Sequence, residues 1–300
     1  MRFAPAQLFF DSSLKQPIAA AGSKPQGAGA GFQWGKWLLV AFVFGYLALI
    51  LLVPALNVFI QAFKSGLPGL LDTFTSKFFL NAVKLTVIVT AITVPLNTVF
   101  GLCAAIALAN KNFPGRSLLI SIIDLPFSIS PVVAGLMLVL LFGNRGWFGP
   151  LLDANGIKII FALPGIVMAT IFVTMPFIAR EVLPALEEIG TQQEEAAATL
   201  GATPWQTFWR VTLPSIKWSL LYGLILCNAR AMGEFGAVAV VSGNIVGKTQ
   251  TLPLFIEAAH MQYNTQASYT AALLLACLAV VTLVLKYFLE RTAGIQHRGH

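Results

Sequence analysis

TQQEEAAATLGATPWQTFWRVTLP, Thr191 to Pro214, is the most polar long stretch between the apolar runs of this chain. It reads as two short helices with a corner. Thr191 and Glu194 have the spacing of a capping box at a helix start. Glu194 and Glu195 fall in the first turn, where the helix dipole favours negative charge. Ala196, Ala197 and Ala198 are strong helix formers with little bulk. Gly201 is placed to end that helix in a left-handed conformation. Thr203, Pro204 and Gln206 supply a second start, with a cap, a proline at the first helical position and a capping-box Gln. Trp205, Phe208 and Trp209 then share one helix face. Leu213-Pro214 is expected to stop the second helix. Such a corner presents a small-residue surface; an ordinary loop between two membrane helices has the same ingredients.

The surroundings are membrane. Of 300 residues, 57% are hydrophobic and 10% charged. With a mean hydropathy of +0.79 and repeated apolar runs, this is no soluble domain. The formal charge of +7 is therefore judged by side of the membrane and not as a nucleic-acid footprint. Cys103, Cys227 and Cys277 all lie inside apolar runs without CxxC spacing, which argues against a disulfide framework or a zinc site.

Six spans are predicted, at Trp37–Phe63, Phe79–Ala109, Ser117–Phe142, Ile159–Ala179, Ser215–Val241 and Ser268–Leu289. They divide the chain into a disordered tail over 1–34, a six-helix domain over 35–290 containing the 191–214 loop, and a second tail over 291–300. Six spans put both termini on one side. That side holds twelve Lys and Arg against five on the other, which favours cytoplasmic termini and a cytoplasmic Thr191–Pro214 loop.

Lys84, Asp124, Arg230 and Glu234 lie within the predicted spans, away from their cytoplasmic ends. Lys84 is near enough to an end to snorkel. Asp124 sits in DLPFSISPVVAG, where Pro126 and Pro131 free backbone groups that Ser128 and Ser130 can partly satisfy. Two readings are open: a broken helix lining a cavity, or a kinked packing helix with Asp124 hydrogen-bonded near the surface. Arg230 and Glu234, in NARAMGEFGAVAVVSG, are four apart and can pair on a helix face. They are either a neutralising pair or a site where Arg230 attracts a passing anion and Glu234 orients it.

Leu252–Met261 reads as a short external helix. The loops at Gly143–Pro150, with Trp147, and Ser242–Gln266, with Asn244 and Lys248, are candidates for docking an external protein, or simple scaffold. His260 alone makes no metal site. GNIVGKTQ at Gly243–Gln250 carries a GKT, but Gly243 precedes Gly247 by one residue too few for a P-loop. No catalytic constellation and no HExxH is present, so this chain is expected to be no enzyme on its own and to carry no cofactor or metal.

Glu195-Ala196-Ala197, Gly201 six residues after Glu195, and Val211-x-Leu213-Pro214 together resemble the EAA loop of ABC-importer permeases, which usually has Ile where Val211 stands. LPFSISPVVAGL, GWFGP and GEFGAVAVVSGNIVGKTQTLP are similar to the sulfate/thiosulfate importer permeases of the CysW type. The resemblance covers nearly everything after residue 35. It implies an all-α, MetI-like type I permease in the bacterial inner membrane, with Glu195, Ala196, Ala197, Gly201, Leu213 and Pro214 in the contact with an ATPase. It further implies a heterodimer with a CysT-type permease, two CysA-type ATP-binding subunits holding ATP and Mg, and an external sulfate-binding protein. The alternatives are a molybdate or tungstate permease, whose GEFG-like core is shorter, and an ion-coupled secondary transporter, which would leave the EAA-like loop unexplained.

Overall fold

The structure, a computed structural model, describes residues 31–109 and 114–297. The predicted tail therefore falls outside the described residues up to residue 30, as do Lys111 and residues 298–300. Contacts divide the chain into two units, Met1–Pro54 and Ala55–His300.

In the first unit, α1 (Gly31–Leu47) runs into a π turn at Ala48–Leu52. Helix begins at Gly31, inside the stretch expected to be tail. With α2 (Val53–Ala62), which straddles the boundary, it makes the apolar run Trp34–Ala62, none of whose most apolar window is buried.

The second unit continues with α3 (Gly66–Thr75), α4 (Lys77–Ala109), α5 (Arg116–Ser128) and α6 (Pro131–Phe142). Next come α7 (Gly149–Ala154), α8 (Leu163–Ile189), α9 (Gln192–Thr199) and α10 (Pro204–Thr207). A π turn at Phe208–Thr212 leads into α11 (Leu213–Met232), followed by α12 (Gly236–Ser242), α13 (Leu252–Met261) and α14 (Thr265–His297). Every regular element among the described residues is helical. Four helices are long and apolar enough to cross a membrane, and the bent pairs α5–α6 and α10/α11–α12 raise the number to six.

The core is built on α4 against α8. The buried residues of α4, from Phe79, Ala82 and Thr86 through Asn97 and Gly101 to Leu108, recur every three or four positions and form one stripe. Gly101 lets the helices approach: a Cβ there would lie 2.8 Å from the Cβ of Ile178. Asn97 Nδ2 donates to Thr174 Oγ1 at 2.7 Å and meets Cys227 Sγ at 3.9 Å, so one amide joins α4, α8 and α11. Ala105, Ile178, Val182 and Ile216 pack beside it.

Three spans differ from their sequence outlines. The helix expected to end at Ala179 continues to Ile189, through Pro176 and Pro184, which brings Arg180 inside it. Leu213-Pro214 does not stop a helix: Pro204–Met232 is one helical run. The π turn just before Pro214 changes the hydrogen-bond register where proline has no N–H to give, and the helix passes through. The last helix extends to His297, into the stretch read as tail.

Candidate functional site

Both broken spans follow from local chemistry. At the first, Pro131 opens α6, and the residue before a proline is pushed out of the helical region. Ser130 accordingly sits at φ −57°, ψ 134°, and α5 and α6 meet at 108°. Pro126 lies inside α5 without breaking it. Ser128 and Ser130 are both exposed, and the Ser130 hydroxyl caps nothing. The expected rescue of backbone groups by these hydroxyls is not what holds the break.

At the second break, inside the span expected over Ser215–Val241, the helix ends at Met232, Gly233 and Gly236 allow the chain to unwind, and α12 leaves at 50°. Glu234 lies between them, not on a helix face. It is buried, and its Oε1 accepts from the Ala237 N–H at 3.0 Å, capping α12. Its Oε2 lies 2.6 Å from Arg230 Nη1. The pair expected from the spacing forms, but across a break, with Arg230 one-third exposed and Glu234 enclosed. A buried carboxylate held by one cation and one backbone amide is fixed in place; the partly open guanidinium keeps donors for something else.

The breaks are packed on each other. A Cβ on Gly236 would lie 3.0 Å from Pro131 Cβ, and one on Gly135 2.8 Å from the Ala237 carbonyl. Ala237 and Val241 join Ala169 and Val173 in one cluster. Arg230, Glu234, Ser130 and Pro131 are thus gathered where α6, α8 and α12 meet.

Asp124 lies one helical turn before that break. Its Oδ1 accepts from Arg180 Nε at 2.7 Å. Sequence reading missed Arg180 as a partner by placing it beyond the fourth span. No local signal linked it to a residue fifty-six positions away.

The corner forms with one change. The second capping box is complete: Thr203 N donates to Gln206 Oε1 at 2.9 Å and Gln206 N to Thr203 Oγ1 at 3.3 Å. The first is absent, because Thr191 is already helical and makes no cap bond. Its hydroxyl goes to Glu195 Oε1 at 2.7 Å, while Glu194 accepts from Thr212 and Gln193 from Ser215. These bonds tie α9 to the start of α11. Gly201 turns the corner at φ +85°, where an L side chain is strained, with open space around its Cα. No residue of α9 is buried. Leu200, at 89% exposed, stands out with Trp205, and the Trp205, Phe208 and Trp209 rings pack at 5.4–6.0 Å. Ala196 is exposed and Ala197 partly so.

At the opposite end, Trp147 and Lys248 are exposed. Asn244, at φ +50°, is tied down: its N–H donates to Ser242 Oγ and its Oδ1 accepts from Gln250. The Phe161 N–H bonds Val241 O at 2.9 Å, and its ring fills the space beside Gly243, joining this loop to the start of α8. A cavity of about 540 Å³ opens here between α3, the 246–250 segment and the α13–α14 turn. It contains none of the residues at the two breaks. No group of three or more His, Cys, Asp and Glu able to hold a metal occurs among the described residues.

The profile of the family described as "Binding-protein-dependent transport system inner membrane component" matches residues 97–294. The chain is 62% identical over 275 residues to the sulfate transport system permease protein CysW of Synechococcus elongatus, covering 90% of this chain and 96% of that one. It is 50% identical over 257 residues to the CysW protein of Escherichia coli K12, covering 86% and 88%. Among solved structures, a chain of a bacterial alginate ABC transporter, in complex with an alginate pentasaccharide-bound periplasmic protein, superposes with a TM-score of 0.72 at 20% identity, over 88% of this chain and 95% of that one. That last likeness bears on fold alone: the helical arrangement is shared. Two breaks packed together, an unburied corner at one end and tied loops at the other belong to a multi-pass helical chain, and the chain is a member of the binding-protein-dependent transport system inner membrane component family.

Proposed function

We propose that this chain is one of two permease subunits of an ATP-driven importer that moves sulfate, and thiosulfate, into the cytoplasm. The observation that carries the reading is the Arg230–Glu234 pair at the junction of the two breaks, in a chain 62% identical over nearly its whole length to a sulfate permease. A guanidinium offers the planar fork that suits an oxyanion, and Glu234 holds it in place when no anion is bound. Backbone amides freed at the breaks near Ser128 and Ser130 supply further donors.

The corner lies on the cytoplasmic side, with both termini. Leu200 and the exposed face around Ala196 and Ala197 dock in a groove of an ATP-binding subunit, and Glu195 pairs there with a basic residue. Leu213 and Pro214 carry the motion into α11. A CysT-type chain closes the path from the other side. Two CysA-type subunits bind ATP and Mg. An external binding protein docks over the end bearing Trp147, Asn244 and Lys248, where the 540 Å³ cavity opens. Energetics favour a pump: bringing a divalent anion into a negative interior costs about 4.6 kcal/mol per 100 mV, twice the figure for one charge. ATPase and uptake assays of the reconstituted assembly against sulfate, thiosulfate and molybdate test this reading. Sulfate-dependent ATP hydrolysis with accumulation is the expected result; uptake of molybdate alone would overturn the substrate, and uptake without ATP would overturn the class.

A further inference from the structure

Arg180 stands out from the other charges of the spans. It lies inside α8, yet its side chain is 54% exposed. Its Nε is committed to Asp124 Oδ1, and its guanidinium carbon lies 4.7 Å from the centroid of the Phe127 ring. Phe127 is in turn braced edge-on by Phe177 at 5.2 Å. The group is therefore anchored at one nitrogen and one face. Neither terminal nitrogen is engaged among the described residues, which leaves a free fork of parallel N–H groups. A half-exposed guanidinium on a hydrophobic helix is costly against lipid, so it faces a polar space or a protein surface.

Its depth follows from contacts between α8 and α11. Gly223 lies against Ile178 and Glu181, and Cys227 Sγ meets the Thr174 carbonyl at 3.9 Å, so the two helices run antiparallel in steady register. Extending that register puts Arg230 level with Ile171. Arg180, nine residues further along α8, is roughly 13 Å nearer the corner at 1.5 Å per residue.

We infer that Arg180 is a second anion-binding residue, which takes the divalent tetrahedral oxyanion after Arg230 and releases it towards the ATPase side. Asp124 is its resident counter-ion: the anion takes the free terminal fork while the carboxylate holds Nε, and the carboxylate's competition for the guanidinium drives the anion off. This inference rests on the sulfate-import reading above.

The test uses the complete transporter in liposomes, measuring radiolabelled sulfate uptake and ATP hydrolysis side by side. Arg180→Gln is expected to lower the uptake rate by about tenfold while ATP hydrolysis stays within about threefold of the parent, since it removes a charged donor pair. Asp124→Asn should lower KM and the uptake rate together, by about threefold to fivefold, because nothing then competes the anion off. The Asp124→Asn/Arg180→Gln double variant should stay as poor as Arg180→Gln alone. If the pair only holds α5 to α8, that double variant recovers, and uptake near the parent's level overturns the inference. Should Arg180→Gln fail to assemble, Arg180→Lys decides: it keeps the ion pair but loses the fork, and an unchanged sulfate KM and rate overturns the assignment. Absence of any sulfate uptake by the parent would overturn the functional reading and the inference with it. Uptake by the parent with indifferent variants overturns the inference alone.

Discussion

The Thr212 hydroxyl donates to the Glu194 carboxylate, across eighteen residues of chain, and so fastens the first turn of α9 to the π turn that precedes α11. With Ser215 donating to Gln193 at 3.3 Å, it makes the corner a rigid attachment and not a hanging loop. Thr212→Val should break it at a local cost of about 1.5–3 kcal/mol, the range for a hydrogen bond to a charged group. The expected outcome is slack coupling: ATP hydrolysis persists, and sulfate moved per ATP falls by about half or more. An unchanged ratio in the reconstituted assembly would show that the fastening is dispensable.

Gly201→Asp should abolish transport. At φ +85° an Asp is strained by about 1–2 kcal/mol relative to Gly. Its Cβ meets open space, so the larger effect is the charge placed on the exposed docking face. Uptake near the parent's level at normal membrane abundance would remove the corner from the ATPase contact.

The Arg230→Gln/Glu234→Gln double variant separates balance from recognition. If the two residues only neutralise each other, uptake recovers in the double variant relative to Glu234→Gln, which strands an unpaired guanidinium. If Arg230 contacts the anion, the double variant assembles and hydrolyses ATP but transports sulfate about tenfold more slowly or worse. Glu234→Gln keeps an amide oxygen for the Ala237 N–H, so the α12 cap survives and the comparison stays clean.

Topology is tested with cysteines. In a background lacking Cys103 and Cys277, both exposed in this chain, a membrane-impermeant thiol reagent applied to intact cells should label a cysteine at Trp147 or Lys248 and spare one at Gln193. Ser242 is a poor reporter, being fully buried. The opposite labelling pattern would invert the arrangement.

Asn97→Leu removes the amide that joins three helices. Hydrogen bonds between membrane helices contribute about 0.6–2 kcal/mol each. The detergent-solubilised complex should therefore unfold several degrees lower, with substrate preference unchanged. An unaltered transition would mean that apolar packing around Ile178 alone holds α4 to α8.

How much of this was legible in sequence depends on the range of the interaction. Trp205, Phe208 and Trp209, the Thr203–Gln206 cap and the left-handed Gly201 depend on neighbours within a few residues, and all are as the spacing implies. Pro131 marked the first break for the same reason. The second break carries no proline; Gly233 and Gly236 allowed local unwinding there, but a Gly-Glu-Phe-Gly stretch inside an apolar run is as compatible with helix as with a turn, so the bend itself was not legible. The Thr191–Glu194 capping box failed because Thr191 is itself helical and Thr212, from a distant segment, takes the Glu194 carboxylate. Arg180 was misplaced because hydropathy falls where the charged residues begin, although α8 itself continues past them for more than two further turns.

The unbroken helical run from Pro204 to Met232 changes how the importer is to be pictured mechanically. It is a strut on the order of 40 Å long at 1.5 Å per residue. One tip carries the exposed Trp205 and the other ends two residues past Arg230. Its one compliant joint is the π turn at Phe208–Thr212, next to the tip that would be pushed. A displacement applied there is delivered to the far end as tilt or translation of a stiff body, without needing relayed side-chain rearrangements. The stroke available at Arg230 is then set by leverage, that is, by where along the strut Gly223 bears against α8 and serves as fulcrum.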